Sequence, residues 1–539
     1  MKFLKNFFRR TKTKKNKQKY DNEKKAVNKE ESSDDSYLKE DGSNILINID
    51  DNIKILKELF KDCDDIVFKN FVIGPKLDTK LVMVYIDGLV DKTLIADNVT
   101  QALMQQARGR KPEDVKANLY KVIEEGNVSA PEMEDIKTID DMTNSILGGD
   151  TVLIIDGYQK AMVIGSKGWP TRSISEPQSE ALVRGPRDGF NETLKTNITL
   201  VRRRIRDTKL KVKTMQIGRR SKTDVAVLYI SDIADERIVN EVKSRLEQID
   251  IDAVLESSYI EGFIEDDNYT IFPQTENTER PDAIASGLYE GRVAILVDNT
   301  PFGLMVPINI NSLFQSSEDY YERWTVTFIL RPIRYLAAMI AVFAPAFYIA
   351  VTSYHPGLLP TRLALHIAAS RATTPFPAFL ETFMMILVVE FLRESGTRIS
   401  GPIGTTIGVV GGLVMGQSAV EAGLVSPLMV IITALTTVSI FMIPNYNFSG
   451  SIRLLCFTMI FLASILGFYG MMLGAIATGI HLSKLVSFGT PYLSPFGILG
   501  KYLDDLQDSF IRIPLNKMRK RARFGHITDQ TRLPDDKSK

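Results

Sequence analysis

Residues 454–480 read LLCFTMIFLASILGFYGMMLGAIATGI, 27 positions without a charged side chain. A helix needs about 20 such positions to cross ~30 Å of hydrocarbon, so this stretch places the C-terminal half in a bilayer. Residues 335–354 (YLAAMIAVFAPAFYIAVTSY) are equally free of charge. Apolar runs at 376–392, 399–418 and 427–445 bring the expected crossings to five. Upstream of Tyr335 lie about 290 residues of mixed, charged sequence, enough for a soluble domain with its own core. The 539-residue chain therefore reads as a soluble N-terminal domain followed by a polytopic α-helical membrane domain.

Net charge is +1, and basic residues gather at the two ends, so the balance names no partner and gives no reason to expect nucleic acid. Only Cys63 and Cys456 are present, one in each half, with four histidines in all. A disulfide framework and a CxxC metal site are excluded on that count. No nucleophile with a paired base, metal cluster or phosphate loop is found, so neither an enzyme nor a cofactor is expected. The start, MKFLKNFFRRTKTKKNKQK, has the charge of a signal peptide without its apolar core. The soluble half is expected to stay cytoplasmic. Residues 1–43 run from basic to acidic with almost nothing apolar, which predicts a disordered tail, either solvated or touching anionic lipid.

The soluble part carries a repeat. KLVMVYIDGLVDKTLIADNVTQALMQQ (80–106) and TDVAVLYISDIADERIVNEVKSRLEQI (223–249) each pass from an apolar strand through Asp into an amphipathic helix. GGDTVLIIDGYQKAMVIGS (148–166) and EGRVAILVDNTPFGLMVPI (290–308) each read strand, Asp, turn, strand. Tyr85 matches Tyr229 and Asp156 matches Asp298, with spacings of 71 and 69 residues. Two α/β subdomains, 44–172 and 173–325, are the economical reading; chance likeness of generic hairpins is the alternative. The membrane domain then spans 326–483, and 484–539 forms a basic cytoplasmic tail. Between the copies, 173–207 is a polar loop and helix ending in Arg202, Arg203, Arg204 and Arg206. It reads as an anion patch or as a solvated or intersubunit face whose charge nearby acids neutralise.

Glu381 and Glu390 lie inside an apolar run. An ionised group at bilayer depth is costly and calls for a cavity or a partner. Nine residues apart, they fall on nearly opposite helix faces, about 13 Å apart along the axis. At most one lines a single pore, Glu381 being preferred, and in a closed homo-oligomer it becomes a carboxylate ring favouring cations. The alternative is a structural role, with Arg362, Arg371 or Arg393 as partner. Gly404, Gly408, Gly412 and Gly416 recur every fourth residue, a stripe where another helix can approach closely; Gly470 and Gly474 repeat it. The segment GPIGTTIGVVGG follows no strand and lacks the GK[ST] ending, so it is no phosphate loop. Five crossings put the two ends on opposite sides. Yet Arg331 and Arg334 before the first crossing and the Arg/Lys-rich tail after residue 511 want both ends cytoplasmic. If 399–418 dips in and returns, both ends fall inside, but its glycine ladder suggests a full helix, so the sequence leaves four to six crossings.

The segment EPQSEALVRGPRDGFNE (176–192) resembles the signature of A subunits of GerA-type nutrient germinant receptors. The likeness rests on Glu176, Pro177, Glu180, Val183, Arg184, Gly185, Pro186, Arg187, Gly189, Phe190 and Glu192. It continues through ERPDAIASGLYEGRVAILVDNTPF (279–302), FQSSEDYYERW (314–324), TTPFPAFLETF (373–383), GQSAVEAGLVSP (416–427) and FGTPYLSPF (488–496). Asn299 stands where that pattern leads one to expect glycine, and Gly401 where it often has a basic residue. The resemblance implies a multi-pass subunit of the inner spore membrane, its N-terminal domain and C-terminal tail on the core side. It also implies a transporter-like B subunit and a lipoprotein C subunit as partners, homo-oligomerisation, and a nutrient-gated cation path. Two other readings stand beside it. A secondary transporter would require inverted symmetry within 335–480, where no repeat is found; a membrane-anchored small-molecule-binding module would hold its ligand in the soluble half.

Overall fold

The computed structural model describes residues 44–73, 79–95, 133–169, 176–177, 179–398, 412, 416–496, 508–521 and 527–533. The expected tail at 1–43, the part of 80–106 beyond Ile95, Gly401 and most of 399–418 lie outside them. Two compact units result. The first takes the described residues up to Glu58, Val67–Ile86 and Val90–Lys167; the second takes Leu59–Ile66, Asp87–Leu89 and the described residues from Gly168 onward.

The first sheet is built from β1 (Ile66–Ile73), β2 (Thr79–Ile86), β3 (Met133–Ile136), β4 (Thr151–Ile155) and β5 (Ala161–Ile164), with helices α1 (Ile49–Leu59) and α2 (Ile139–Gly148). Its strand order is β1-β2-β4-β5-β3. The second unit opens on α3 (Leu194–Arg204) and contains β6 (Leu210–Ile217), β7 (Thr223–Ile230), α4 (Glu236–Glu247), α5 (Ser257–Ile264), β8 (Glu276–Thr278), α6 (Pro281–Tyr289), β9 (Val293–Val297) and β10 (Gly303–Val306). Its order, β6-β7-β9-β10-β8, is the same order one copy later. The central strands TVLII and VAILV are buried at every position, which is why they read as unbroken apolar runs rather than alternating ones.

The duplication extends to single hydrogen bonds. Asp156 Oδ1 accepts from Ile49 N at 3.2 Å and Asp298 Oδ1 from Leu194 N at 3.0 Å, each carboxylate serving an orphan donor at a helix start. Three residues into each helix, Asn52 clasps both backbone groups of Leu46 (2.9 and 2.7 Å), and Asn197 clasps those of Asn191 (2.9 and 2.6 Å). Gly157 N donates to Ile47 O at 3.0 Å, and Asn299 N to Glu192 O at 2.7 Å. Gly157 has φ +91° and Asn299 +67°. Asparagine tolerates that left-handed region better than other side-chain-bearing residues, so Asn299 replaces the expected glycine without changing the turn. Such paired detail excludes chance likeness of hairpins. Asn197 is 2% exposed; Asn197→Ala strands two backbone groups and is expected to lower the stability of the second unit by about 2 kcal/mol, read as a lower unfolding midpoint. An unchanged midpoint would contradict this role.

The helical part consists of α7 (Trp324–Ser353), α8 (Thr361–Arg371), α9 (Ala378–Arg398), α10 (Pro427–Phe441) and α11 (Tyr446–Lys484). Among the described residues, α7 and α11 are long and apolar enough to cross a membrane. The run at 454–480, expected as one crossing, is not one rod. At Gly467 the backbone turns to φ +61°, ψ −137°, a conformation that glycine reaches at low cost. Beyond it, a Cβ on Gly470 would stand 2.1 Å from Leu462 O, and one on Gly474 would stand 2.7 Å from Met459 Sδ. In a straight helix residues eight apart are separated by about 12 Å, so α11 is a hairpin of two arms, 446–466 and 468–484. Its two ends meet again: the rings of Phe448 and His481 lie 6.4 and 6.0 Å from that of Phe272. The tip is capped by Tyr354 at the end of α7, whose hydroxyl donates to the carbonyls of Ser464 and Ile465 freed where the helix breaks.

This fixes the direction of the other helices. Helix α9 runs antiparallel to the first arm, with Phe379 5.6 Å from Phe461 near the tip and Phe383 6.1 Å from Phe457. Ser426, heading α10, lies beside Glu381 at the tip end. Arg453, in the first arm and away from the tip, reaches Glu390. The described residues thus contain five passages of the bundle: α7, α9, α10 and both arms of α11. The chain leaves α9 at the end away from the tip and returns at the tip end, where a Cβ on Gly423 would stand 3.3 Å from Thr373 O. The tight glycines expected to pack one helix against another, Gly470 and Gly474, face the other arm of their own hairpin.

Candidate functional site

Glu381 sits in the first turn of α9 and is 0% exposed. Its carboxylate accepts from Ser426 N and Oγ, both at 2.6 Å, and from the Tyr348 hydroxyl at 3.2 Å, with Arg371 Nε 3.8 Å away. Ser426 in turn caps α10 by accepting from Met429 N. The acid therefore lies where the N-terminal dipole of α10 favours negative charge, and it joins α7, α9 and α10. Glu390 is bound differently. It accepts from Arg393 (2.9 and 2.5 Å) and from Arg453 (3.2 and 3.4 Å), beside a cavity of about 30 Å³ bordered by Ile386, Thr436 and Cys456. Of the partners foreseen, Arg371 and Arg393 are present; Arg453, 63 residues beyond Glu390, was not legible. Among the described residues a Cβ on Gly412 would meet nothing within 4 Å and one on Gly416 only Val430 at 3.7 Å; Gly404 and Gly408 lie outside the described residues.

The signature segment folds back over the start of α6. Glu180 accepts from Thr278 Oγ1 at 2.7 Å, while Arg280 donates to Glu180 O (3.2 Å) and Pro186 O (2.8 Å). Two motifs separated in sequence, 176–192 and 279–302, thereby fit each other. Arg187 pairs with Glu176 at the surface (3.2 Å), Pro177 and Gly189 are buried, and Phe190 enters the core of the second sheet. Gly185 has φ +145°, and a Cβ there would stand 2.8 Å from Tyr321. Arg184 and Glu192 are exposed. The arginine cluster is largely neutralised nearby: Arg202, 1% exposed, is bidentate to Asp65 (2.7 and 2.9 Å), Arg204 is held by Asp188, and Arg203 lies over Trp169 at 4.7 Å.

Burial pushes the Glu180 carboxyl up to about 7 from an ordinary 4.5. A raised carboxyl stabilises the fold fully below its ordinary value, and that contribution is lost as pH rises through the folded one. Glu180→Gln should therefore reduce the decline in thermal midpoint between about pH 5 and pH 8. Part of the slope should remain, because burial raises Glu265 to about 7 as well. A slope identical to that of the parent chain would contradict the assignment.

Sequence reasoning missed the junction where the second subdomain enters α7. Asp319, 2% exposed, accepts from Arg331 (3.2 Å) and Arg334 (2.8 Å). Arg331 also reaches Asp508 at 2.9 Å, and Arg512 donates to the Asp319 carbonyl. Tyr320 lies between the two guanidinium groups, 5.5 Å from Arg331 and 5.2 Å from Arg512. This neutralisation lets α7 begin at Trp324 rather than near Tyr335, carrying both arginines in its opening turns. A second joint forms at the open end of α11: His481 Nε2 lies 2.8 Å from Thr270 Oγ1, Ser451 donates to Ile271 O, and Ser487 Oγ donates to Gln274 O at 2.8 Å. The loop carrying Thr270 and Phe272 thus grips both arms of the hairpin.

The family model described as Bacillus/Clostridium GerA spore germination protein matches residues 54–524. Among curated relatives, spore germination protein GerLA of Bacillus cereus is 41% identical over 459 residues, covering 85% of this chain and 92% of that protein. Spore germination protein KA of Bacillus subtilis is 39% identical, covering 90% and 88%. The uncharacterized membrane protein YfkQ of the same species is 43% identical, covering 88% and 90%. A solved structure, the N-terminal domain of the A subunit of the Bacillus megaterium spore germinant receptor GerK3, is 36% identical with a TM-score of 0.40, covering 50% of this chain and 98% of that one. With the family matched through both the soluble and the helical parts, this chain belongs to the Bacillus/Clostridium GerA spore germination protein family.

Proposed function

We propose that this chain is the A-type membrane subunit of a nutrient germinant receptor, and that copies of it assemble into a nutrient-gated path for monovalent cations. The observation carrying this reading is a fully buried carboxylate, Glu381, at the meeting point of three helices in a family member matched from 54 to 524. Buried intramembrane acids mark ion or proton routes by default. In the described state Glu381 is engaged by Ser426, Tyr348 and Arg371. Opening has to withdraw those partners before a cation can use it. Glu390, flanked by two arginines, serves as a second candidate.

The reading places the protein in the inner spore membrane with a transporter-like B subunit and a lipoprotein C subunit, its soluble domain and basic tail facing the spore core. Six passages satisfy the charge rule that five crossings break. The hairpin of α11 supplies a passage beyond those expected. Soluble-domain motion would reach the bundle through the Asp319 junction and the Thr270–Phe272 loop. The test is loss of this chain alone: nutrient-triggered release of monovalent cations should fail for the nutrient its receptor answers. Undiminished release would remove the reading.

A further inference from the structure

The second unit contains a cavity of about 210 Å³ between α6 and the segment leading into α7. It is larger than an engineered cavity of about 150 Å³ that takes up benzene, so it has room for a compact molecule of several heavy atoms. Its lining carries Glu276, Asp282 and Glu290 together with Arg292 and Arg532. Arg292 is shared, one nitrogen 2.6 Å from Glu276 and another 3.4 Å from Glu290. Asp282 Oδ2 accepts from Tyr321 at 2.5 Å and from Arg280 at 3.1 Å. Its other oxygen, Oδ1, is buried and has no hydrogen-bond partner among the described residues, although the Asp282 side chain is only 6% exposed. A buried acceptor left in that condition is unfavourable by about 1–3 kcal/mol. The wall therefore has one acidic acceptor unused.

We propose that this cavity binds a small primary ammonium compound whose N–H donors are taken by Asp282 and Glu290. The ammonium supplies what Oδ1 lacks, a donor. Burial raises the Glu290 carboxyl, which accords with a site where a bound cation would favour the ionised form. The opposite wall includes Tyr320, whose hydroxyl reaches Asp508 at 2.9 Å and whose ring lies between Arg331 and Arg512. An occupant thus touches the residue that joins α7 to the segment at Asp508. The site is separate from the buried glutamates of the helices, and its proposal stands or falls independently of a cation path.

The test uses the full chain in detergent and ethanolamine as probe, with ethylene glycol as its uncharged counterpart and choline as the N-methylated one that has no N–H. Saturation-transfer NMR titration should show saturable ethanolamine binding at least tenfold tighter than either. Asp282→Asn should weaken it at least tenfold. Because Asp282 also holds Tyr321, a second variant is needed: Ser286 lies on the exposed side of α6 at the cavity, so Ser286→Phe should fill the space, leave the unfolding midpoint unchanged and abolish binding. Ethanolamine binding no tighter than that of ethylene glycol would leave the cavity a water site and overturn the proposal. So would ethanolamine binding that survives Ser286→Phe.

Discussion

Asp319→Ala should prevent the folded chain from accumulating, the largest stability loss expected of any single substitution in the second unit. Asp319 is the shared partner of Arg331 and Arg334, and Arg331 is itself 1% exposed. Removing Asp319 takes from the partly buried Arg334 its carboxylate and leaves Arg331 with Asp508 alone, and breaking a buried pair is unfavourable by about 3–5 kcal/mol, a large share of the 5–15 kcal/mol that holds a typical protein folded. Asp508 still faces Arg331, so the loss should be smaller if an acceptor remains. Asp319→Asn should accumulate to an intermediate level, and Asp319→Leu combined with Arg331→Met should recover part of the loss because the fully buried Arg331 charge is then gone, leaving only the less buried Arg334 and Asp508 without their partners. Immunoblots of membranes and thermal midpoints of purified chains measure the series. Equal abundance of Asp319→Ala and the parent chain would contradict a structural junction at this point.

The duplicated sheets were legible because an apolar strand followed by Asp and a turn is a local pattern, and it recurs with nearly constant spacing at Asp156 and Asp298. The clasp made by Asn52 and Asn197 lies outside the segments that align as copies, in helices whose polar residues carry no periodic signal. The hairpin of α11 was not legible. Its turn holds no charge, proline or polar cluster; a single glycine at 467 reverses the chain, and an uncharged run of 27 residues reads the same whether straight or folded. Nor was the Asp319 junction legible. FQSSEDYYERW stood out as a motif, but Asp508 lies 177 residues beyond Arg331, and no local rule links them. The buried glutamates were visible as anomalies, and Arg453 as the partner of Glu390 awaited the fold.

The second large effect is functional. Glu381→Gln removes the charge but keeps an amide oxygen able to accept from Ser426, so α10 stays capped and the chain should accumulate normally. Glu381→Leu removes both, stranding the Ser426 donors in a dry site at about 1–3 kcal/mol, and should accumulate less. If a cation uses this carboxylate during opening, the glutamine variant loses the charge that compensates its desolvation. Release should then slow at least tenfold, equivalent to about 1.4 kcal/mol in the barrier. The measurement is the rate of monovalent-cation release after nutrient addition from spores carrying Glu381→Gln, with the level of the chain checked by immunoblot. A normal level with release slowed at least tenfold is the predicted result; a normal level with release at the parental rate would contradict a cation path through Glu381.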